Sequence, residues 1–375
     1  MSQLTITWQD PDTDRPALDV LVRLVAYTDR AFEAGDIRAY LMEPGPGHTW
    51  TWSADLPTDL RTSYQLCPAR DWPLRGQPLD AARWQAVIAA GQPDPCCLDW
   101  LPPGCTYGNP DAPASVLSMP GALAQRWAPR RPGVPHGSLA RTTLTGGSLV
   151  HVYRSPGASD DPTPLLVIFD GQRLLATDVT ATFDNLAAEC AAVPLTAVVV
   201  ESISGSAPRG PSRISSLTIA AGLESFIFSD LLPVVQARWP VTADPAHRVL
   251  AGHSLGAVAA LHLAARRPDV FGSVIAGSAA LQWPGHNGQL CGADVAAAYA
   301  TSTPAGQLFL DAGTEEHDLL HRARAFHDTL VQAGRDVTYR EFRGGHDHAC
   351  WRGSLADGIV QVLSKADTRP AAPAA

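Results

Sequence analysis

Arg248-Val249-Leu250-Ala251-Gly252-His253-Ser254-Leu255-Gly256-Ala257-Val258-Ala259-Ala260 reads as a short apolar run, a Gly-x-Ser-x-Gly turn and the start of an Ala-rich helix. A serine between a buried strand and a helix sits on a tight turn, where flanking glycines avoid side-chain clashes and the hydroxyl projects above the sheet. Gly-x-Ser-x-Gly alone is a common pattern. The strand before it and the helix after it are what make this one a nucleophile elbow, with Ser254 as the nucleophile. The Leu255 N–H, at the helix start, is placed to donate to an oxyanion.

Outward from the elbow, strands alternate with helices. Leu165-Leu166-Val167-Ile168-Phe169, Thr196-Ala197-Val198-Val199-Val200 and Gly306-Gln307-Leu308-Phe309-Leu310 are apolar runs of buried-strand length, and helical stretches run from Gly222 to Trp239 and from Ala257 to Arg267. This predicts an α/β fold of the α/β-hydrolase type, a mostly parallel sheet covered by helices on both faces.

Serine is inert near neutral pH unless a base takes its proton, so the elbow demands a downstream histidine. His346 meets that demand, in the loop Arg343-Gly344-Gly345-His346-Asp347-His348 after the strand Val337-Thr338-Tyr339-Arg340-Glu341-Phe342, with two glycines expected to let the backbone bend over the sheet. His348 is the alternative base, and His253 reads as a packing residue. The acid should follow the strand ending at Leu310, where Asp311, Glu315, Glu316 and Asp318 offer four carboxylates and Glu316 is the first choice. A second oxyanion donor is expected from the Gly171 or Gln172 N–H, in the loop after the first central strand.

At 375 residues the chain exceeds the roughly 100–200 residues of one typical domain. Residues 1–135 carry short alternating stretches, Val20 to Tyr27, Trp50-Thr51-Trp52 and Arg61 to Leu66, between Pro/Gly turns. They predict a small β-sandwich domain, with Trp50 and Trp52 in its core. A Pro/Arg/Gly linker follows from Ala128 to Gly137, the α/β-hydrolase domain spans 138–367, and 368–375 is a Pro/Ala-rich tail.

A formal net charge of -9 argues against nucleic-acid binding, and no apolar run approaches the roughly 20 residues of a membrane span. The start lacks the charged and apolar regions of a signal peptide, so a cytoplasmic location is expected. Seven cysteines lack zinc-ligand spacing and read as thiols of a reducing compartment. No metal site and no cofactor are expected, because water and a serine suffice for the chemistry.

With these residues in place, the chain resembles the enterochelin (enterobactin) esterase family. Asp170-Gly171-Gln172, Gly252-His253-Ser254-Leu255-Gly256 and Gly344-Gly345-His346-Asp347-His348-Ala349-Cys350-Trp351-Arg352 look like its catalytic motifs. His48-Thr49-Trp50-Thr51-Trp52, Arg61-Thr62-Ser63-Tyr64 and Ser115-Val116-Leu117-Ser118-Met119-Pro120 look like its amino-terminal domain. The resemblance implies a cytoplasmic serine esterase that opens a ferric catecholate trilactone, with any iron belonging to the substrate. Its acid motif falls on Ala312-Gly313-Thr314-Glu315-Glu316, again indicating Glu316. Its Arg-x-x-Glu-Leu-x-x-Asn segment falls on Arg213 to Ala220 with only Arg213 and Leu217 kept, and Leu174 replaces a common aromatic.

Those departures leave open an esterase of the same fold acting on another acyl or natural-product ester, and more remotely a siderophore-binding module without turnover. Arg213 is a candidate fork for the anionic complex or one half of a structural ion pair. Trp351 and Arg352 are candidates for substrate contact or for holding the His346 loop.

Overall fold

The computed structural model describes residues 1–76, 78–106, 109, 111–144, 148–158, 160–189, 193–202, 212–286 and 289–364; the expected tail 368–375 and Cys190 lie outside them. The chain divides into two compact units. The first is Met1–Ala124 with Gly313–Glu316 and Phe342–Trp351; the second is Gln125–Ala312, His317–Glu341 and Arg352–Ala375.

The first unit holds strands β1 (Ser2–Gln9), β2 (Asp19–Leu24), β3 (Glu43–Pro44), β4 (Thr49–Leu56), β5 (Arg61–Ala69), β6 (Trp100–Leu101) and β7 (Ala114–Ser118), with helices α1 (Thr28–Glu33) and α2 (Ala81–Ala89). They form two antiparallel sheets, ordered β1-β4-β3 and β2-β5-β7-β6. Alternation explains the pairing. Ile6 lies opposite Trp52 and Trp8 opposite Trp50, and these four side chains share one core with Val20, Val22, Leu24, Tyr64 and Leu66 of the second sheet. The Trp52 indole N–H is satisfied by the Ala39 carbonyl at 2.8 Å. Strand β2 stops at Leu24, short of the expected Tyr27, because the Thr28 hydroxyl takes up both the Leu24 N–H and its carbonyl (2.7 and 2.9 Å) and turns the chain into α1.

The second unit is built on an eight-stranded sheet. Its strands are β8 (Ser138–Thr143), β9 (Leu149–Arg154), β10 (Leu165–Ile168), β11 (Thr196–Val200), β12 (Arg248–His253), β13 (Ser273–Gly277), β14 (Leu308–Gly313) and β15 (Val337–Phe342), in spatial order β15-β14-β13-β12-β10-β11-β9-β8. The strands from β11 through β14 pair in parallel, while β9 and β8 join antiparallel at one end. The helices are α3 (Gly171–Ala176), α4 (Val179–Ala188), α5 (Arg213–Thr218), α6 (Ala220–Ser225), α7 (Leu232–Arg238), α8 (Leu255–Arg266), α9 (Gly292–Thr301), α10 (Asp318–Gln332) and α11 (His348–Leu363).

Strands β10 to β14 are buried throughout because helices cover both faces. Leu166, Ile168, Ala251 and Ile275 pack with Phe183 of α4 and Leu355 and Ile359 of α11. Their neighbours Leu165, Val167, Leu250 and Val274 face the other way, onto Val258 and Leu261 of α8 and Tyr299 of α9. The helix expected from Gly222 to Trp239 is α6 and α7 joined by a π-helical segment, Phe226–Leu231. Among the described residues no helix is long and apolar enough to cross a membrane. Of the described cysteines, Cys67, Cys105 and Cys350 are buried and Cys96 is exposed.

Candidate active site

Ser254 stands between β12 and α8 with φ 59° and ψ −123°, a conformation that costs a non-glycine residue about 1–3 kcal/mol. The surroundings hold it there. Its N–H donates to the Gly277 carbonyl at 3.0 Å, and its own carbonyl accepts from Ala257, Val258 and Ala280 at 3.2–3.3 Å. A Cβ on Gly252 would overlap the Gly256 carbonyl and lie 2.9 Å from the Ala257 nitrogen, so the sharp return into the helix requires glycine. At Gly256 the crowding is milder, 3.3 Å to the Phe169 Cβ. His253 is buried, its ring lying where a side chain on the paired Gly277 would otherwise be. That is a packing role. Leu255 opens α8, where first-turn N–H groups have no partner inside the helix.

The two residues read from the sequence as base and acid, His346 and Glu316, meet in the first unit. His346 Nδ1 lies 2.7 Å from Glu316 Oε1, and the other carboxylate oxygen accepts the Gly313 N–H at 2.7 Å. The Glu316 side chain is 1% exposed and that of His346 26%, so the acid is sheltered while the imidazole keeps an open edge. Their loops run side by side: the Thr314 N–H donates to the Phe342 carbonyl at 2.8 Å and the Glu315 N–H to the Gly344 carbonyl at 3.0 Å. Two other carboxylates of that stretch have partners of their own. Asp311 is paired with Arg340 (3.1 Å) and bonded by Ser354, and Glu315 is paired with Arg343 (3.2 Å). Asp318 opens α10. The alternative base, His348, is buried at the head of α11. Trp351 stands edge-on to both rings, 4.7 Å from His346 and 4.7 Å from His348, and at 2% exposure it is a wall holding the loop. Arg352 donates from Nε to Gln125 at 2.8 Å.

Gly344 and Gly345 do not serve the bend expected of them, since neither has a positive φ. They are there for space. A Cβ on Gly344 would lie 2.7 Å from the Arg61 carbonyl, and one on Gly345 would lie 2.9 Å from the Ala26 Cα. Because the obstacle is backbone, Gly345→Ala is expected to destabilise the fold by about 1–3 kcal/mol, read as a lowered urea midpoint at unchanged m-value. An unchanged midpoint would show that the loop can move away.

The loop after β10 begins with Asp170 in a left-handed conformation (φ 60°) and runs into α3 at Gly171. No side chain fits at Gly171, where a Cβ would lie 2.7 Å from Val199 Cγ1 and 2.9 Å from the Val200 carbonyl. Gln172 is fixed through its side-chain oxygen, which accepts the Ser202 N–H at 3.0 Å. Asp170 is buried and takes two hydrogen bonds from the Arg213 guanidinium, at 2.6 Å and 2.5 Å, plus one from the Ser202 hydroxyl. Arg213 is therefore engaged in a bidentate ion pair, the structural member of its two sequence readings. Beside this loop a cavity of about 350 Å³ is lined chiefly by apolar groups, among them Phe169, Val200, Leu217, Leu223 and Phe226.

Sequence reasoning missed Asp347, which lies next to the base and is 1% exposed. Its sequence signals are its place between two histidines and within the motif Gly344 to Arg352, neither of which assigns it a role. Among the described residues no group of three or more His, Cys, Asp or Glu is arranged to hold a metal ion.

Comparison with known proteins also parts the chain in two, with Gly313–Glu316 and Phe342–Trp351 falling within the esterase match. The Esterase family model matches residues 148–362, and the model for the N-terminal part of enterochelin esterases matches residues 3–128. Among curated relatives, an iron(III) enterobactin esterase of Dickeya dadantii is 28% identical, covering 98% of this chain and 89% of the relative. That of Escherichia coli K12 is 24% identical (96% and 91% covered), and an iron(III) salmochelin esterase of Escherichia coli O6:H1 is 27% identical (95% and 86%). Two solved structures share the fold, each at 23% identity and TM-score 0.80. They are the enterobactin esterase of Shigella flexneri determined in the presence of enterobactin (96% and 92% covered) and the ferric enterobactin esterase of Salmonella typhimurium (96% and 93%).

Proposed function

The chain belongs to the esterase family and is a carboxylic ester hydrolase, and from that premise we propose that it cuts the ester bonds of a ferric catecholate trilactone such as enterobactin, releasing iron in the cytoplasm. The observation that carries this reading is the match of residues 3–128 to the enterochelin esterase N-terminal model, because a general esterase has no need of that domain. In this reading residues 1–135 are the domain specific to the substrate class and 138–367 the catalytic domain. Curated relatives that match over nearly the whole chain are named as esterases of iron(III) enterobactin or salmochelin.

The chemistry assigned to the residues runs in two halves. Ser254 attacks the ester carbonyl as His346 takes its proton, and the N–H groups of Leu255 and of Gly171 or Gln172 receive the charge that develops on oxygen. His346 then protonates the leaving alkoxide. Water, activated by the same imidazole, releases the acid and frees Ser254. Glu316 keeps the proton of His346 on Nδ1 and stabilises the imidazolium.

A hydrolase acting on another acyl or natural-product ester is the second reading, favoured by the engagement of Arg213 with Asp170, which leaves less of that fork for an anionic substrate. Chromatography of products from ferric enterobactin, with Ser254→Ala in parallel, separates the two. Linear acyl-serine fragments made by the wild type and not by the variant are the expected result. Intact trilactone alongside rapid hydrolysis of simple esters would move the assignment to the second reading.

A further inference from the structure

We propose that Asp347 is a positioning residue that fastens the catalytic base to strand β5, so that the amino-terminal half of the chain takes part in orienting His346. The inference rests on the reading of His346 as base.

Asp347 follows His346 directly and is buried, and its carboxylate accepts from two directions, the Thr62 hydroxyl dividing its one proton between Asp347 and the Ser63 carbonyl at 3.1 Å. Oδ2 accepts the Ser63 N–H at 2.5 Å and the Thr62 hydroxyl at 3.2 Å, while Oδ1 accepts the Ala349 N–H at 2.9 Å. The Thr62 hydroxyl is itself oriented, because it accepts the Ala26 N–H at 3.1 Å. Further bonds continue the seam. The Arg61 N–H donates to the Arg343 carbonyl at 3.0 Å, and the Cys350 thiol lies 3.3 Å from the Arg61 carbonyl. The base loop is thus laid along residues 61–63, in the space left by Gly344 and Gly345.

Glu316 fixes one nitrogen of the imidazole; the Asp347 seam fixes the backbone that carries it. Misplacing a catalytic group by about 1 Å can cost on the order of 100-fold in rate. Burial pushes the Asp347 carboxyl above its ordinary range, with the Ser63 and Ala349 N–H groups pulling the other way. Burial thus opposes the charged form, and the N–H groups of the seam support it.

The test uses the full chain and a fluorophosphonate as probe, with active-site titration to count competent serines. Asp347→Asn leaves one acceptor oxygen and turns an N–H toward a backbone N–H, and Thr62→Val removes at constant shape both one donor to Asp347 and the acceptor of the Ala26 N–H. The expected result is a full count of reactive sites with the per-site phosphonylation rate lowered about tenfold or more in D347N and about threefold in T62V. For p-nitrophenyl butyrate, kcat should fall at constant KM. A folded D347N that reacts at the wild-type per-site rate overturns the proposal, and so does a reduced site count at unchanged rate. Should D347N not fold, T62V decides, and a wild-type rate there overturns it. A wild type that is not labelled at Ser254 overturns the hydrolase assignment itself, a distinguishable failure.

Discussion

Ser254→Ala is expected to lower ester turnover by about 10⁴-fold or more, and Ser254→Gly to do the same while folding more stably than the alanine variant. The first half follows from chemistry: without the hydroxyl no acyl-enzyme forms, and the donors proposed at Leu255 and at Gly171 or Gln172 are left to act on water alone. The second half follows from the backbone. At φ 59° and ψ −123° a Cβ is strained, and the hydrogen bonds to Gly277, Ala257, Val258 and Ala280 give residue 254 no other place to go. Glycine relieves about 1–3 kcal/mol of strain and returns part of it through the greater freedom of the unfolded chain, leaving a net gain of about 1 kcal/mol over alanine. Urea midpoints of the two variants and hydrolysis of p-nitrophenyl butyrate read both effects. Turnover retained in Ser254→Ala would remove the nucleophile from this elbow. Equal midpoints would mean that the turn stores no strain.

What the sequence made legible was local. The elbow is read from one continuous stretch, Arg248 to Ala260, and strands β10, β11, β12 and β14 announce themselves as apolar runs because helices cover both their faces. Strand β1 carries the period-two signal in Leu4, Ile6 and Trp8, yet an alternation of three residues gains force only once Trp50 and Trp52 are seen opposite Ile6 and Trp8. That Glu316, of four carboxylates, is the one facing His346 was reachable from topology. Asp347 was not, because its partners Thr62 and Ser63 lie 285 and 284 residues away. The same separation hid the purpose of Gly344 and Gly345: a glycine that opens a turn and one that lets two backbones touch look alike in sequence. Arg213 shows the converse. Its charge was plain, and only the structure shows Asp170 receiving two of its N–H groups.

Glu316→Gln is expected to lower kcat by about 10³–10⁴-fold at neutral pH with little change in KM, for a reason more specific than the loss of a charge. The two oxygens of Glu316 face different donors, Oε2 the Gly313 N–H and Oε1 the Nδ1 of His346. A glutamine has one oxygen. The Gly313 N–H belongs to the backbone and cannot become an acceptor, so the amide oxygen is drawn to it and the NH₂ group turns toward His346. There it needs a lone pair on Nδ1, which places the imidazole proton on Nε2, the nitrogen that must be bare to accept the Ser254 proton. The wrong tautomer is thus favoured by the same buried geometry that favoured the right one. Steady-state kinetics with p-nitrophenyl butyrate, alongside thermal unfolding to confirm that the variant is folded, give the answer. A loss below tenfold, under about 1.4 kcal/mol of transition-state stabilisation, would mean that His346 works without a carboxylate partner and that the 2.7 Å contact holds the two loops together instead.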